Sequence, residues 1–198
     1  MENPITAGLA DALSYAEYRS LIAKLLSENQ STGHRQSEDL THYSRMNEAR
    51  MNRLEKTVTV SEENARKLRS IGSGFTWLVL SEGWCGDAAQ ILPILDKLAR
   101  ENDHITLQIV LRDDHPALMD LFLTNNTRSI PKLIILDEDL GVRAVWGPRP
   151  KGAVELVTDY KRRVGVFDDE GKTALQLWYT KDKGISIQNE IAAIMAAL

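Results

Sequence analysis

Three observations predict an α/β fold, a three-layer α/β/α sandwich with helical additions at both ends. Phe75 to Leu80 is an almost wholly apolar, aromatic and β-branched run, as expected of a central strand covered on both faces. Helical periodicity follows directly, from Ala88 to Arg100. Downstream, Ile105 to Leu111 alternates as a strand with one less buried face does, and Lys132 to Leu136 and Val142 to Trp146 read as two strands joined by the short connection Asp137 to Gly141. The order is βαβ, then ββα, with helices on both faces.

Taken in order, Ser14-Tyr15-Ala16-Glu17 is a capping box, and Tyr18, Leu21, Ile22, Leu25 and Leu26 then recur at helical spacing, predicting a helix from Ser14 to Ser27. A polar loop, 28–39, leads to a second helix through Leu40, Tyr43, Met46, Met51 and Leu54 to about Lys56. Thr57 to Val60 is expected as a short first strand. Ser61-Glu62-Glu63 opens a helix through Ala65, Leu68 and Ile71, with Gly72 as its C-cap. Pro93 should bend the helix after the central strand by removing one backbone donor. An aspartate of Asp113-Asp114 is expected to cap the helix that Pro116 begins. Pro148 and Pro150 bracket the turn into a helix ending near Val164. Thr173 to Tyr179 and Ile187 to Ala197 are two more amphipathic segments, split by the turn 181–184. Trp178 and Tyr179 are large enough to anchor the first on the core. The division expected is a helical N-terminal extension, 1–56, packed on a core domain, 57–164, and a helical C-terminal extension, 165–198.

Charge and composition narrow the function. A net charge of −4 argues against a nucleic-acid surface and against attachment to anionic lipid. No stretch approaches eighteen consecutive apolar residues, so no membrane span is expected. The start, Met1 to Ala7, lacks the basic and apolar regions of a signal peptide. With one cysteine no internal disulfide forms, and a cytoplasmic location is expected. Asp113-Asp114-His115 places carboxylates beside a histidine as a metal site can, but His34, His42 and His104 add no ligand spacing, so neither metal nor cofactor is expected. Protein or small-molecule thiols and disulfides are the expected partners, and the Ala- and Ile-rich final helix suits a dimer interface.

The cysteine carries the chemistry. Cys85 lies where the central strand ends and the next helix begins, and unpaired helix N–H groups with the positive dipole end favour a thiolate there. Asp87, two residues on, acts the other way: a neighbouring carboxylate disfavours a second negative charge, with Glu82 adding to it. A strongly acidic thiol is therefore not expected. Asp87 is also suited, as a first-turn acid, to satisfy helix N–H groups.

Trp84-Cys85-Gly86-Asp87-Ala88, followed by Ile91-Leu92-Pro93-Ile94-Leu95-Asp96, resembles the thioredoxin active-site turn and kinked helix, where Trp-Cys-Gly-Pro-Cys precedes a helix with proline in the same place. Arg128-Ser129-Ile130-Pro131 before Lys132 to Leu136 resembles the thioredoxin loop whose cis-proline faces the active cysteine. The resemblance covers roughly Thr57 to Val164 and implies a thioredoxin-like sandwich. It also implies Cys85 as nucleophile, Trp84, Ile130 and Pro131 as a substrate groove, and Gly86, Asp87 and Ala88 as residues that modulate the thiol.

The sequence departs from the pattern where redox machinery is usual. Ala88 replaces the resolving cysteine, Val79 the buried aspartate of the preceding strand, and Asp87 the turn proline. Two functions follow from this. One is a single-cysteine thiol–disulfide oxidoreductase acting on mixed disulfides, or a thiol sensor. The other is a non-catalytic binding or scaffold module that keeps the groove. An iron–sulfur monothiol glutaredoxin fits poorly, because the residues after Cys85 do not resemble Cys-Gly-Phe-Ser.

Overall fold

Polar capping residues begin most of the helices, and apolar runs form the strands between them. A computed structural model describes residues 3–198; Met1 and Glu2, where the expected N-terminal extension starts, lie outside the described residues. The elements are α1 (Pro4–Ala10), α2 (Tyr15–Ser27), α3 (Glu38–Thr57), α4 (Glu62–Arg69), β1 (Phe75–Ser81), α5 (Gly86–Ala99), β2 (Ile105–Leu111), α6 (Pro116–Leu121), β3 (Lys132–Leu136), β4 (Val142–Trp146), α7 (Lys151–Val164), α8 (Asp169–Asp182) and α9 (Ile185–Met195). The Ser14–Glu17 capping box forms in full, as the hydroxyl accepts from the Glu17 N–H and the Glu17 carboxylate accepts from the Ser14 N–H.

The sheet is four-stranded in the order β2-β1-β3-β4. β1 runs parallel to β2, from Phe75 opposite Ile105 to Ser81 opposite Leu111, and antiparallel to β3, from Thr76 opposite Leu136 to Leu80 opposite Lys132. β3 and β4 form the hairpin, with a bulge at Ile135/Leu136. Helices flank the sheet, so the α/β class and the thioredoxin-like sandwich read from the sequence hold. α5 is the central helix. Its Ile91, Leu92, Ile94, Leu95 and Leu98 are all essentially inaccessible, and at roughly 2 kcal/mol per buried aliphatic side chain they outweigh the roughly 3 kcal/mol that a helix-interior proline costs at Pro93.

Several expectations are corrected. Thr57 to Val60 is not a strand: Thr57 ends α3, and the next residues have their backbone groups taken by side chains. The buried Gln188 of α9 accepts from the Ser61 N–H and donates to the Thr59 carbonyl, and Lys97 of α5 donates to the Val58 carbonyl. Those side chains take the Val58 and Thr59 carbonyls and the Ser61 N–H, groups a ladder would use. Beside β2 there is instead one antiparallel bridge, Leu13 to Ile109. No aspartate caps α6: its N-cap is His115, without a side-chain bond, while Asp113 pairs with Arg112 and Asp114 with His34. Ser70, not Gly72, closes α4. α1, a seven-residue helix capped by Asn3 and begun by Pro4, whose Gly8 lies against Leu118, is not among the elements expected above.

The helical ends pack on the central elements. α3 lies along α5, α2 contacts α3 and β2, and α9 rests on α4 and α5. The apolar face of α9, with Ile187, Ile191, Ala192 and Met195, is buried within this chain.

Candidate functional site

The turn that carries Cys85 is held from outside its own strand and helix. The Gly83 N–H donates to Thr32 Oγ1 at 2.8 Å, and the Gly83 carbonyl accepts from Asn47 Nδ2 at 2.9 Å. Both partners belong to the N-terminal third of the chain. Within the turn, the Cys85 N–H donates to the Glu82 carbonyl at 3.1 Å. Cys85 then serves as the N-cap of α5, its sulfur accepting from the Ala88 N–H at 3.5 Å.

The thiol faces the loop before β3. Its S–H donates to the Ile130 carbonyl at 3.4 Å, and the Ile130–Pro131 peptide is cis. A second cis peptide, Gly147–Pro148, follows β4, and Gly147 comes so close that a Cβ there would lie 2.5 Å from the Pro131 oxygen. Gly147 also has φ +108, so no other residue fits this close approach well. Trp84 is half-buried on the rim, with the Arg112 guanidinium 4.8 Å above its ring. The structure thus brings Cys85 and Ile130 into contact, with Pro131 and Trp84 adjoining them in the chain.

Asp87 and Ala88 are buried in the first turn of α5, and Gly86 is partly open. Asp87 does not simply satisfy helix N–H groups. One carboxylate oxygen pairs with Arg149 Nη2 at 2.7 Å, and the other accepts from the Tyr179 hydroxyl at 2.8 Å. Burial first, and the Asp87 charge second, push the Cys85 thiol up to about 12, against the opposing pull of the Ala88 and Asp87 N–H groups and Arg149. This agrees with the expectation that the thiol is not strongly acidic. Glu82 is fully buried; Oε1 accepts from the Asp113 N–H at 2.9 Å, Oε2 has no partner, and burial raises the carboxyl above the usual range.

Sequence reasoning missed Arg149, Asn47, Arg50 and Gln176, and gave Tyr179 only an anchoring role. Arg149 lies between Pro148 and Pro150 in the turn after β4. Nothing local marks it as a partner of Asp87, and only the folded sheet brings the two together. Elsewhere, a surface cavity of about 640 Å³ is lined by Gln36, Ser37, Thr41, His42 and Arg45.

A family model described as thioredoxin matches residues 33–161. The chain is 29% identical over 103 residues to a thioredoxin of Chlamydia trachomatis, a match covering 52% of this chain and 96% of that protein. Among solved structures, a protein of unknown function from Pseudomonas aeruginosa superposes with a TM-score of 0.58 at 21% identity, covering 93% of this chain and 98% of that one. An HIV epitope scaffold superposes with a TM-score of 0.56 at 20% identity, covering 94% and 99%. These two likenesses concern the fold alone.

Proposed function

Because this chain belongs to the thioredoxin family, we propose that it carries out thiol–disulfide exchange through one cysteine, Cys85, in a domain of residues 57–164 framed by the extensions 1–56 and 165–198. The observation that carries this reading is the contact of the Cys85 thiol with the Ile130 carbonyl. At rest that bond favours the protonated thiol. An extended partner segment that pairs with the Ile130 backbone by strand addition takes over the carbonyl and removes the bond. The sulfur then keeps the Ala88 N–H and the nearby Arg149 charge, which favour the thiolate against burial and the Asp87 carboxylate.

The exchange balances with one protein thiol. The Cys85 thiolate attacks one sulfur of the partner's disulfide, the S–S bond breaks, and the other half leaves as a thiolate that takes up a proton. Cys85 and the partner are now joined as a mixed disulfide. Ala88 has no sulfur with which to resolve it, so a second, external thiolate attacks, forms a disulfide with the partner and returns Cys85 as a thiolate.

A second reading, a non-catalytic binding module, is favoured by the resting thiol itself. Burial and the Asp87 charge hold the thiol well above its free value, so little thiolate is present at pH 7. The two readings separate on trapping. Incubation with a peptide disulfide should give a mixed disulfide on Cys85, visible by mass spectrometry, with turnover once glutathione is added and none in Cys85→Ser. Binding of the peptide without any Cys85 adduct would establish the module instead.

A further inference from the structure

Beside Gly86 a set of hydrogen-bond donors converges that the exchange step does not use. Arg50 Nη1 and Gln176 Nε2 lie 3.6 and 3.4 Å from the point a Gly86 Cβ would occupy, one residue from the thiol. Arg50 comes from α3 and Gln176 from α8. Arg50 is half-buried, yet its hydrogen bond goes to Asn47 Oδ1 at 2.7 Å and not to a carboxylate. The residues one turn away on its helix are Met46, Asn47, Arg53 and Leu54, and none is acidic. Asn47 is fully buried and also holds the Gly83 carbonyl, so it fixes the guanidinium relative to the Cys85 turn. The Gln176 carbonyl is engaged by the Gln90 side-chain amide at 2.7 Å, which leaves its own N–H₂ on the Gly86 side. Asp87, the nearby acid, is already paired with Arg149 and Tyr179 and does not compete for these donors.

We propose that Arg50 and Gln176 form a carboxylate-binding site that selects an anionic low-molecular-weight thiol as the one that resolves the Cys85 mixed disulfide. The site rests on the single-thiol reading and adds the charge class of the second substrate. A planar, pre-aimed guanidinium with an amide beside it suits a carboxylate or sulfonate. The thiolate of such a molecule attacks the Cys85-linked disulfide, takes the partner into a new disulfide and leaves Cys85 as a thiolate, while its own carboxylate stays on Arg50.

The test uses the full chain with Cys85 converted to its mixed disulfide with 2-mercaptoethanol. Release is timed with glutathione and 2-mercaptoethanesulfonate as anionic thiols, 2-mercaptoethanol as neutral and cysteamine as cationic, each rate divided by that on bis(2-hydroxyethyl) disulfide. The anionic thiols should be favoured over the neutral one by about tenfold. Arg50→Gln should bring the ratio near one; Arg50→Lys should keep part of it. Gln176→Leu, on a different helix, should lower it independently. Charge-independent release by the wild type, or a preference that survives Arg50→Gln, overturns the anion site and leaves the single-thiol reading intact. Failure of every thiol to release Cys85 overturns both.

Discussion

The Tyr179 hydroxyl donates to the Asp87 carboxylate over 2.8 Å, across ninety-two positions of sequence, in a fully buried contact. This bond ties α8 to the first turn of α5, immediately beside the thiol. Tyr179→Phe keeps the ring and removes the donor, leaving the buried carboxylate with Arg149 alone. The expected loss is about 1–3 kcal/mol, the cost of unsatisfying a buried charged group. Urea denaturation measures it; an unchanged midpoint would mean that Arg149 and water suffice.

Asp87→Asn tests the electrostatics of Cys85. Burial is the larger cause of the raised thiol and persists in the variant, whereas the repulsion from Asp87 disappears and Arg149 remains nearby. The alkylation midpoint should therefore move down from about 12, yet stay above that of a free thiol. Iodoacetamide rates between pH 7 and 12.5, with Cys85→Ser as blank, report it. A midpoint that does not fall would show that Asp87 does not act on the sulfur.

What was legible in the sequence was local. The Ser14–Glu17 box, the β1 run and the alternation of 105–111 each draw on interactions within a few residues, and the structure places those elements within a residue or two of expectation. The Cys85 and Ile130–Pro131 motifs could be named because each is a contiguous string. The hidden parts depend on distant partners. Val58 to Val60 has strand-like residues, but Gln188, about 130 positions away, takes the Thr59 carbonyl and the adjoining Ser61 N–H. Arg149, Asn47 and Gln176 are ordinary surface residue types in sequence, and only packing of α3, α8 and the turn after β4 onto α5 gathers them around one thiol.

Glu82→Gln should act against the usual direction of a core polar substitution. Burial, with the Asp113 charge adding to it, makes the folded protein hold the Glu82 proton to a higher pH than the unfolded chain does. The stability this group contributes is complete below about pH 4.3, where the unfolded carboxyl ionises, and is lost as pH rises through the raised folded value. Glutamine keeps the acceptor for the Asp113 N–H and does not ionise. Its urea midpoint relative to wild type should rise from pH 4.5 to pH 8, reaching equality or better at the upper end. A constant deficit at all pH values would show that Glu82 is not held protonated.

Ala88→Cys restores a second sulfur where the family pattern has one. Ala88 is buried in the first turn of α5, and its N–H already lies 3.5 Å from the Cys85 sulfur, so a cysteine three residues on falls within the reach a disulfide requires. The variant should form an intramolecular bond on mild oxidation, with titratable thiols falling from two to none without a dimer band on non-reducing gels. Because the second thiol can attack the Cys85 mixed disulfide internally, release of a bound peptide should become independent of external thiol. The anion preference expected from Arg50 should vanish in the same variant, since no external thiol then resolves the adduct. A variant whose two thiols stay reduced, or which links only between molecules, would place position 88 out of line with the sulfur of Cys85 and remove the basis for reading Ala88 as the missing resolving residue.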